Sequence, residues 1–311
     1  MAISQLNDRI YLIDGFDLGL EQRTGSYVLM EQQLTIIETG PSPSVEHVKQ
    51  GLKELGRSLD EVRYIIVTHI HLDHAGGAGL LLQDCPDATL IVHPKGARHL
   101  ADPRRLIAGA RAVYGDNFDD LFNPIVPVPE HRIKAKTEGD VLRIGPDCEL
   151  EFWDTPGHAK HHFGIFDPVS NGVFAGDTAG IRYAQLIEDG IDFYLPSTSP
   201  NQFDPVAMKA SIERMQKQQL GVLYFGHYGA TAYPQAALGQ VLEWLEVFME
   251  AGAAAYQQGE SAEQLAKRLE RQVKTQLADR GVEPGHRVMP YLEMDLHVSA
   301  QGLLDYFRKQ T

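Results

Sequence analysis

One stretch limits the fold more than any other: Val67-Thr68-His69-Ile70-His71-Leu72-Asp73-His74-Ala75-Gly76-Gly77. Before it, Val62 to Val67 is short, apolar and β-branched, the pattern of a buried strand. After it, Ala78 to Gln83 can begin a helix. Three imidazoles and a carboxylate therefore crowd a loop at the carboxyl end of a strand, where open α/β sheets gather ligands. Imidazole with carboxylate suits zinc, iron or manganese. His69 and His71, two apart on extended chain, can point the same way, and Asp73 and His74, after a turn, can face a second point nearby.

Elsewhere short strands end in glycine, carboxylate or histidine. Leu150 to Trp153 runs into Asp154-Thr155-Pro156-Gly157-His158, and Gly172 to Ala175 runs into Gly176-Asp177. Gly221 to Phe225 runs into Gly226-His227. His161 and His162 follow closely and are ligand-type by composition. His93 and His99 stand beside no other ligand and read as ordinary surface or loop histidines.

His-x-His-x-Asp-His with Gly-Gly, then Thr-Pro-Gly-His, then the strand-end Asp177 and His227, resembles the metallo-β-lactamase superfamily across roughly residues 8 to 230. The resemblance implies an αββα sandwich of two mixed sheets flanked by helices, an α/β fold. It implies two divalent metal ions, zinc first, with iron or manganese as alternatives. His69, His71 and His158 would hold one, Asp73, His74 and His227 the other, and Asp177 would bridge, as would a water in hydroxide form. Asp73 and Asp177 are thus the catalytic carboxylates, with Asp73 able to pass a proton to the leaving group. Where the family commonly has Asp, this chain has Glu38, one methylene longer and still able to brace an imidazole. An aspartate at 177 resembles the glyoxalase II and lactonase branches; several true β-lactamases carry cysteine there. His71 differs from the acidic residue of flavodiiron reductases. The implied reaction is hydrolysis of a carboxylic ester, thioester or lactone. The alternatives are an iron-dependent oxidoreductase of the persulfide dioxygenase kind, or a small-molecule phosphodiesterase.

The remaining chain sets the frame. Residues 9–14, 25–30 and 34–38 read as three closely spaced strands, hence an antiparallel start. Val45 to Leu55 is helical in spacing, with Gly56 as a stop. Residues 94–139 read as an irregular insertion near the site, with a helix over Arg104 to Tyr114. Residues 180–203 read as a loop, in which Tyr183 or Tyr194 could donate to a developing oxyanion. Asp204 and Pro205 open a helix to Gln216. The catalytic domain is expected over 1–233. A C-terminal helical extension is expected over 234–311, with helices over 236–256, 261–279 and 302–308. Its apolar face, around Trp244 to Met249, reads as packing on the sheets, a homodimer contact or a wall of the substrate pocket.

Composition narrows the partners. Of 311 residues 43% are hydrophobic, enough for a large core, and the formal charge is −14. An acidic surface repels phosphate backbones and anionic membranes, so a small-molecule substrate is expected and nucleic acid is not. Cys85 and Cys148 form no disulfide framework and read as buried thiols. With no basic start followed by an apolar run, and no apolar run of spanning length, the expectation is a soluble cytoplasmic protein.

Overall fold

A computed structural model describes residues 3–310, which fold as two compact units. Among these residues unit 1 runs to 154 and adds 161–176 and 220–232; unit 2 takes in 155–160, 177–219 and the rest from 233 onward.

Unit 1 carries two mixed sheets. The first runs β1 (Ile3–Gln5), β2 (Ile10–Asp14), β3 (Gly25–Leu29), β4 (Leu34–Ile37), β5 (Val62–Ile66), β6 (Thr89–Val92) and β7 (Ile133–Ala135), side by side in chain order. The first four are antiparallel, as the short spacing of the first strands predicts. From β4 onward the pairing is parallel, because longer crossovers intervene. These crossovers hold α1 (Val45–Glu54), then α2 (Leu72–Ala75) and α3 (Ala78–Asp84), then α4 (Pro94–Ala101), α5 (Arg104–Tyr114) and α6 (Phe118–Phe122). Residues 94–139 are thus not irregular as expected. They form three helices and a strand, with Phe118 and Phe122 buried beside Leu72 in a small core of their own.

The second sheet is built from β8 (Val141–Arg143), β9 (Glu149–Asp154), β10 (Phe163–Asp167), β11 (Gly172–Phe174), β14 (Val222–Tyr224) and β15 (Ala230–Thr231). Its order is β15-β14-β11-β10-β9-β8, with β11 and β14 parallel and the other pairs antiparallel.

Strand alternation decides what each face meets. Ile13, Val28, Ile36, Ile65, Leu90 and Val92 point to one side of the first sheet. They share a core with Val45, Val48 and Leu52 of α1 and with Leu81 and Leu82 of α3. Tyr27 points the other way and packs edge-on against Phe174 and Tyr224 of the second sheet, at centroid distances of 5.0 and 5.7 Å. The two sheets therefore meet face to face.

Unit 2 contains the short hairpin β12 (Ile181–Arg182) and β13 (Tyr194–Leu195), then α7 (Pro205–Lys217), α8 (Pro234–Gln258), α9 (Ala262–Ala278) and α10 (Met289–Lys309). Asp204 caps α7 by accepting the N–H groups of Val206 and Ala207, and Ser261 with Gln264 forms the capping box of α9. α10 begins thirteen residues before the expected 302. Its first turns bury polar Asp295 and Ser299 among apolar neighbours, which blurs the helical period. The stretch 180–203, expected as loop, contains the hairpin and a 3₁₀ segment over Ala184–Asp189. No helix among the described residues is long and apolar enough to cross a membrane.

Candidate metal centre

In unit 1 the ligand-type side chains sit at the carboxyl ends of β5 and β14. β5 ends at Ile66, and the next residues, Val67 to His71, are extended or turning chain that leads into the one-turn helix α2. That turn brings the His74 ring to 4.2 Å from the His69 ring, against 4.6 Å between His69 and His71. Across the fold, β14 delivers His227 after Phe225 and Gly226.

One ligand atom each of Asp73, His74 and His227 lies within 4.8 Å of the others. Asp73 Oδ2 is 3.5 Å from His74 Nε2 and 3.5 Å from His227 Nε2. Charge-assisted hydrogen bonds are shorter, about 2.8 Å. A cation with ligands at about 2.1 Å in a tetrahedral shell sets its ligand atoms about 3.4 Å apart. Both the donor set and the spacing fit a divalent cation better than they fit a hydrogen-bonded cluster. Burial works against a charge on Asp73, but His74 and His227 outweigh it and hold the carboxyl well below the usual carboxylate range.

His69 Nε2 lies 3.1 Å from His71 Nδ1, while His69 Nδ1 is 3.0 Å from Thr68 Oγ1. Thr68 leaves this imidazole one orientation. Glu38 does the same for His74: its Oε2 is 3.0 Å from His74 Nδ1, and its Oε1 accepts the Thr68 N–H at 2.7 Å. Glu38 itself sits on left-handed backbone, φ 68°. His162 is buried with its ring 5.1 Å from that of His69, and His161 stacks near the same ring at 6.3 Å. Gly176 leaves room for this: a Cβ there would come within 2.4 Å of His162 Nε2 and 2.6 Å of Thr68 Oγ1.

In unit 2, His158 and Asp177 come together, with Nε2 and Oδ2 3.6 Å apart. His158 Nδ1 is 2.9 Å from the Ser197 carbonyl oxygen, so it carries the proton and leaves Nε2 as an acceptor. Ser197 Oγ lies 3.3 Å from Asp177 Oδ2, and Ser199 Oγ lies 3.4 Å from His158 Nε2. Gly157, φ 142°, lets the Thr-Pro-Gly-His turn press on α7; a Cβ there would meet the Met208 backbone at 2.2 Å. Tyr183 and Tyr194 are both buried, and the Tyr183 hydroxyl donates to Asp295 Oδ2 at 3.1 Å.

The reading of His93 needs correction. His93 is no surface residue: it is 4% exposed, its Nδ1 accepts the Lys95 N–H to cap α4, and its Nε2 is 3.4 Å from Asp154 Oδ1. Ser197 escaped sequence reasoning because its contribution to His158 is a backbone carbonyl, which has no residue signature. Asp17 and Arg23 also escaped it. Both are buried, with Arg23 Nε 3.3 Å from Asp17 Oδ2. Burial pushes the Asp17 carboxyl up to about 6 despite the Arg23 charge.

Residues 21–227 match the model of the metallo-beta-lactamase superfamily, and the chain belongs to that superfamily. A metallo-beta-lactamase fold-containing protein of Sulfurisphaera tokodaii is 26% identical over 207 residues, 65% of this chain and 72% of that protein. An N-acyl homoserine lactonase of Bacillus thuringiensis is 27% identical over 180 residues, 57% of this chain. That alignment takes in 60% of the lactonase, less than two thirds of its length. The solved structure of a metallo-beta-lactamase family protein from Thermus thermophilus superposes with a TM-score of 0.71 at 18% identity, covering 98% of this chain and 95% of that one. The fold is that of the superfamily.

Proposed function

We propose that the protein is a hydrolase that uses two divalent cations, zinc first among the candidates, to cleave a carboxylic ester, thioester or lactone. The observation that carries this reading is the group of half-buried Asp73 with buried His74 and His227, spaced at 3.5 Å and braced by Glu38. His69, His71 and His158 would hold one ion, Asp73, His74 and His227 the other, with Asp177 shared; the sequence motifs support this division. Such ions, when bound, acidify water toward neutral pH and polarise a carbonyl. The lactonase of Bacillus thuringiensis lends support for the bond class.

The chain's own groups have separable tasks in this reading. Thr68 and Glu38 hold His69 and His74 in one ring orientation each, and Ser197 does the same for His158, so the acceptor nitrogens need no rearrangement. Asp73 presents Oδ2 to both imidazoles, which makes Oδ1 the oxygen that takes a proton and delivers it to the departing alkoxide or thiolate. Its depressed carboxyl keeps it an acceptor in the resting protein. No serine or cysteine nucleophile is required; both cysteines are buried, with their thiols pushed up to about 12 by burial.

Elemental analysis of the purified protein, followed by a panel of esters, thioesters, lactones and phosphodiesters, tests this. Two zinc ions per chain and turnover of one of the first three classes is the expected result. One redox-active iron per chain, or turnover of phosphodiesters alone, overturns it.

A further inference from the structure

The loop between β2 and β3, residues 15–24, is built with more constraint than a connector needs. Asp14 ties it at the base, accepting the N–H groups of Phe16 at 3.0 Å and Gln22 at 2.8 Å. Gly15 N–H donates to Thr24 O at 3.0 Å and closes it. Three non-glycine residues, Phe16, Leu18 and Gln22, take left-handed backbone with φ of 46°, 59° and 58°. Strain of this kind persists where surrounding structure enforces it, and it concentrates at functional sites.

What the strained loop delivers is Asp17, 2% exposed. Arg23 Nε approaches one carboxylate oxygen, Oδ2, at 3.3 Å, while the other, Oδ1, is buried without a hydrogen-bond partner. A buried carboxylate oxygen is costly to leave in that state, so its presence calls for a reason. The neighbours of the loop supply one. Gly25, directly after it, packs on Tyr228, the residue following His227; a Cβ on Gly25 would lie 3.3 Å from that ring. Thr24 Oγ1 comes near Gly40, two residues beyond Glu38. The charges of Asp73, His227 and His74 all act on Asp17.

We propose that Asp17 is a charge-balancing and positioning residue for the cation held by Asp73, His74 and His227, and that Arg23 sets how much of its charge that cation feels. This rests on the two-cation reading above. In that reading two divalent cations face two ligand carboxylates, Asp73 and the shared Asp177, so positive charge is left over. A buried anion close by offsets it, and the buried guanidinium opposes the offset. The two side chains therefore act on cation affinity with opposite signs. If the pair only pinned the loop, losing either partner would loosen the same backbone and act with the same sign.

Zinc affinity separates these cases without measuring turnover. Metal-free wild type, Asp17→Asn and Arg23→Met are titrated with Zn²⁺ against a chromophoric chelator, and each of the two equivalents is fitted. The expected result is that Asp17→Asn weakens one equivalent by about 10-fold or more while the other stays within about twofold, the usual scale for a residue that supports a ligand. Arg23→Met tightens that equivalent. Wild-type affinity in Asp17→Asn, or unchanged or weaker affinity in Arg23→Met, overturns the proposal. If Asp17→Asn does not fold, Arg23→Met decides alone: weaker or unchanged binding overturns the proposal and tighter binding sustains it. Fewer than two equivalents in the wild type would bring down the two-cation reading and this inference together, whereas two equivalents with indifferent variants would remove only the inference.

Discussion

The candidate ligand groups of the two units are braced by different chemistry. In unit 1 a carboxylate, Glu38, backs His74, and a hydroxyl, Thr68, backs His69. In unit 2 a neutral backbone carbonyl backs His158, and the Ser197 hydroxyl sits beside Asp177. A carboxylate behind an imidazole fixes the ring and makes its far nitrogen a stronger donor to a cation; a carbonyl fixes the ring with less effect on basicity. Unit 1 therefore invests charge in its candidate ligands, and unit 2 invests geometry.

Removing a ligand should swamp that difference. His69→Ala in unit 1 or Asp177→Ala in unit 2 is expected to bring hydrolysis below detection while circular dichroism stays near wild type. Chelation should do the same and added zinc should reverse it. Near-normal turnover in either variant would show that these side chains hold no cation needed for hydrolysis.

Next in size come the braces. Glu38→Gln keeps shape and removes charge, and it should cost about 10- to 100-fold in metal affinity, read by chelator competition. Ser197→Ala keeps the carbonyl that holds His158 and should cost less than Glu38→Gln. The reverse order would show that charge is not what distinguishes the two groups.

A smaller effect is expected from Tyr27→Phe. The Tyr27 hydroxyl lies 2.6 Å from Phe225 O and 2.7 Å from Gly229 O, on either side of His227. The Gly229 carbonyl keeps the Phe225 N–H at 3.0 Å, so losing the hydroxyl removes a hydrogen bond and should lower the stability of unit 1 by about 0.5–1.5 kcal/mol in denaturant titration.

The smallest effect concerns Cys85 and Cys148 in unit 1. Burial raises both thiols to about 12, from 9.0. Neither should react with iodoacetamide in the native protein at pH 9, with or without chelator, whereas both should react in urea. Because the folded chain holds these protons more tightly, their stabilising contribution is complete below pH 9 and is lost as pH rises from 9 toward 12. Thiol labelling that follows chelation would mean that the metal ligands hold the core of unit 1 together.

Much was legible in the chain because its signals are local. Val45 to Glu54 shows apolar residues at helical spacing, and Ser261 with Gln264 spells its own cap. The strand-loop motifs named seven ligand candidates, and the structure groups Asp73, His74 and His227 in one unit and His158 with Asp177 in the other. Long-range choices were not legible. The segment 94–139 looked irregular because α6 and its neighbours bury aromatic side chains in a private cluster, with no continuous apolar stripe. The first turns of α10 were missed because Asp295 is buried, and Tyr183, which donates to it, lies 112 residues away.

The amino-acid order by itself determined which side chains could bind a cation and which strand ends would carry them, because ligand type, strand pattern and turn chemistry are properties of a few neighbouring residues. Tertiary structure alone decided that Glu38 would reach His74, that the Ser197 carbonyl would orient His158, and that Asp17 and Arg23 would be buried as a pair. Each of these joins groups whose positions depend on how distant segments pack. Hydrogen bonds and charges act over a few ångströms of space, whatever the distance along the chain.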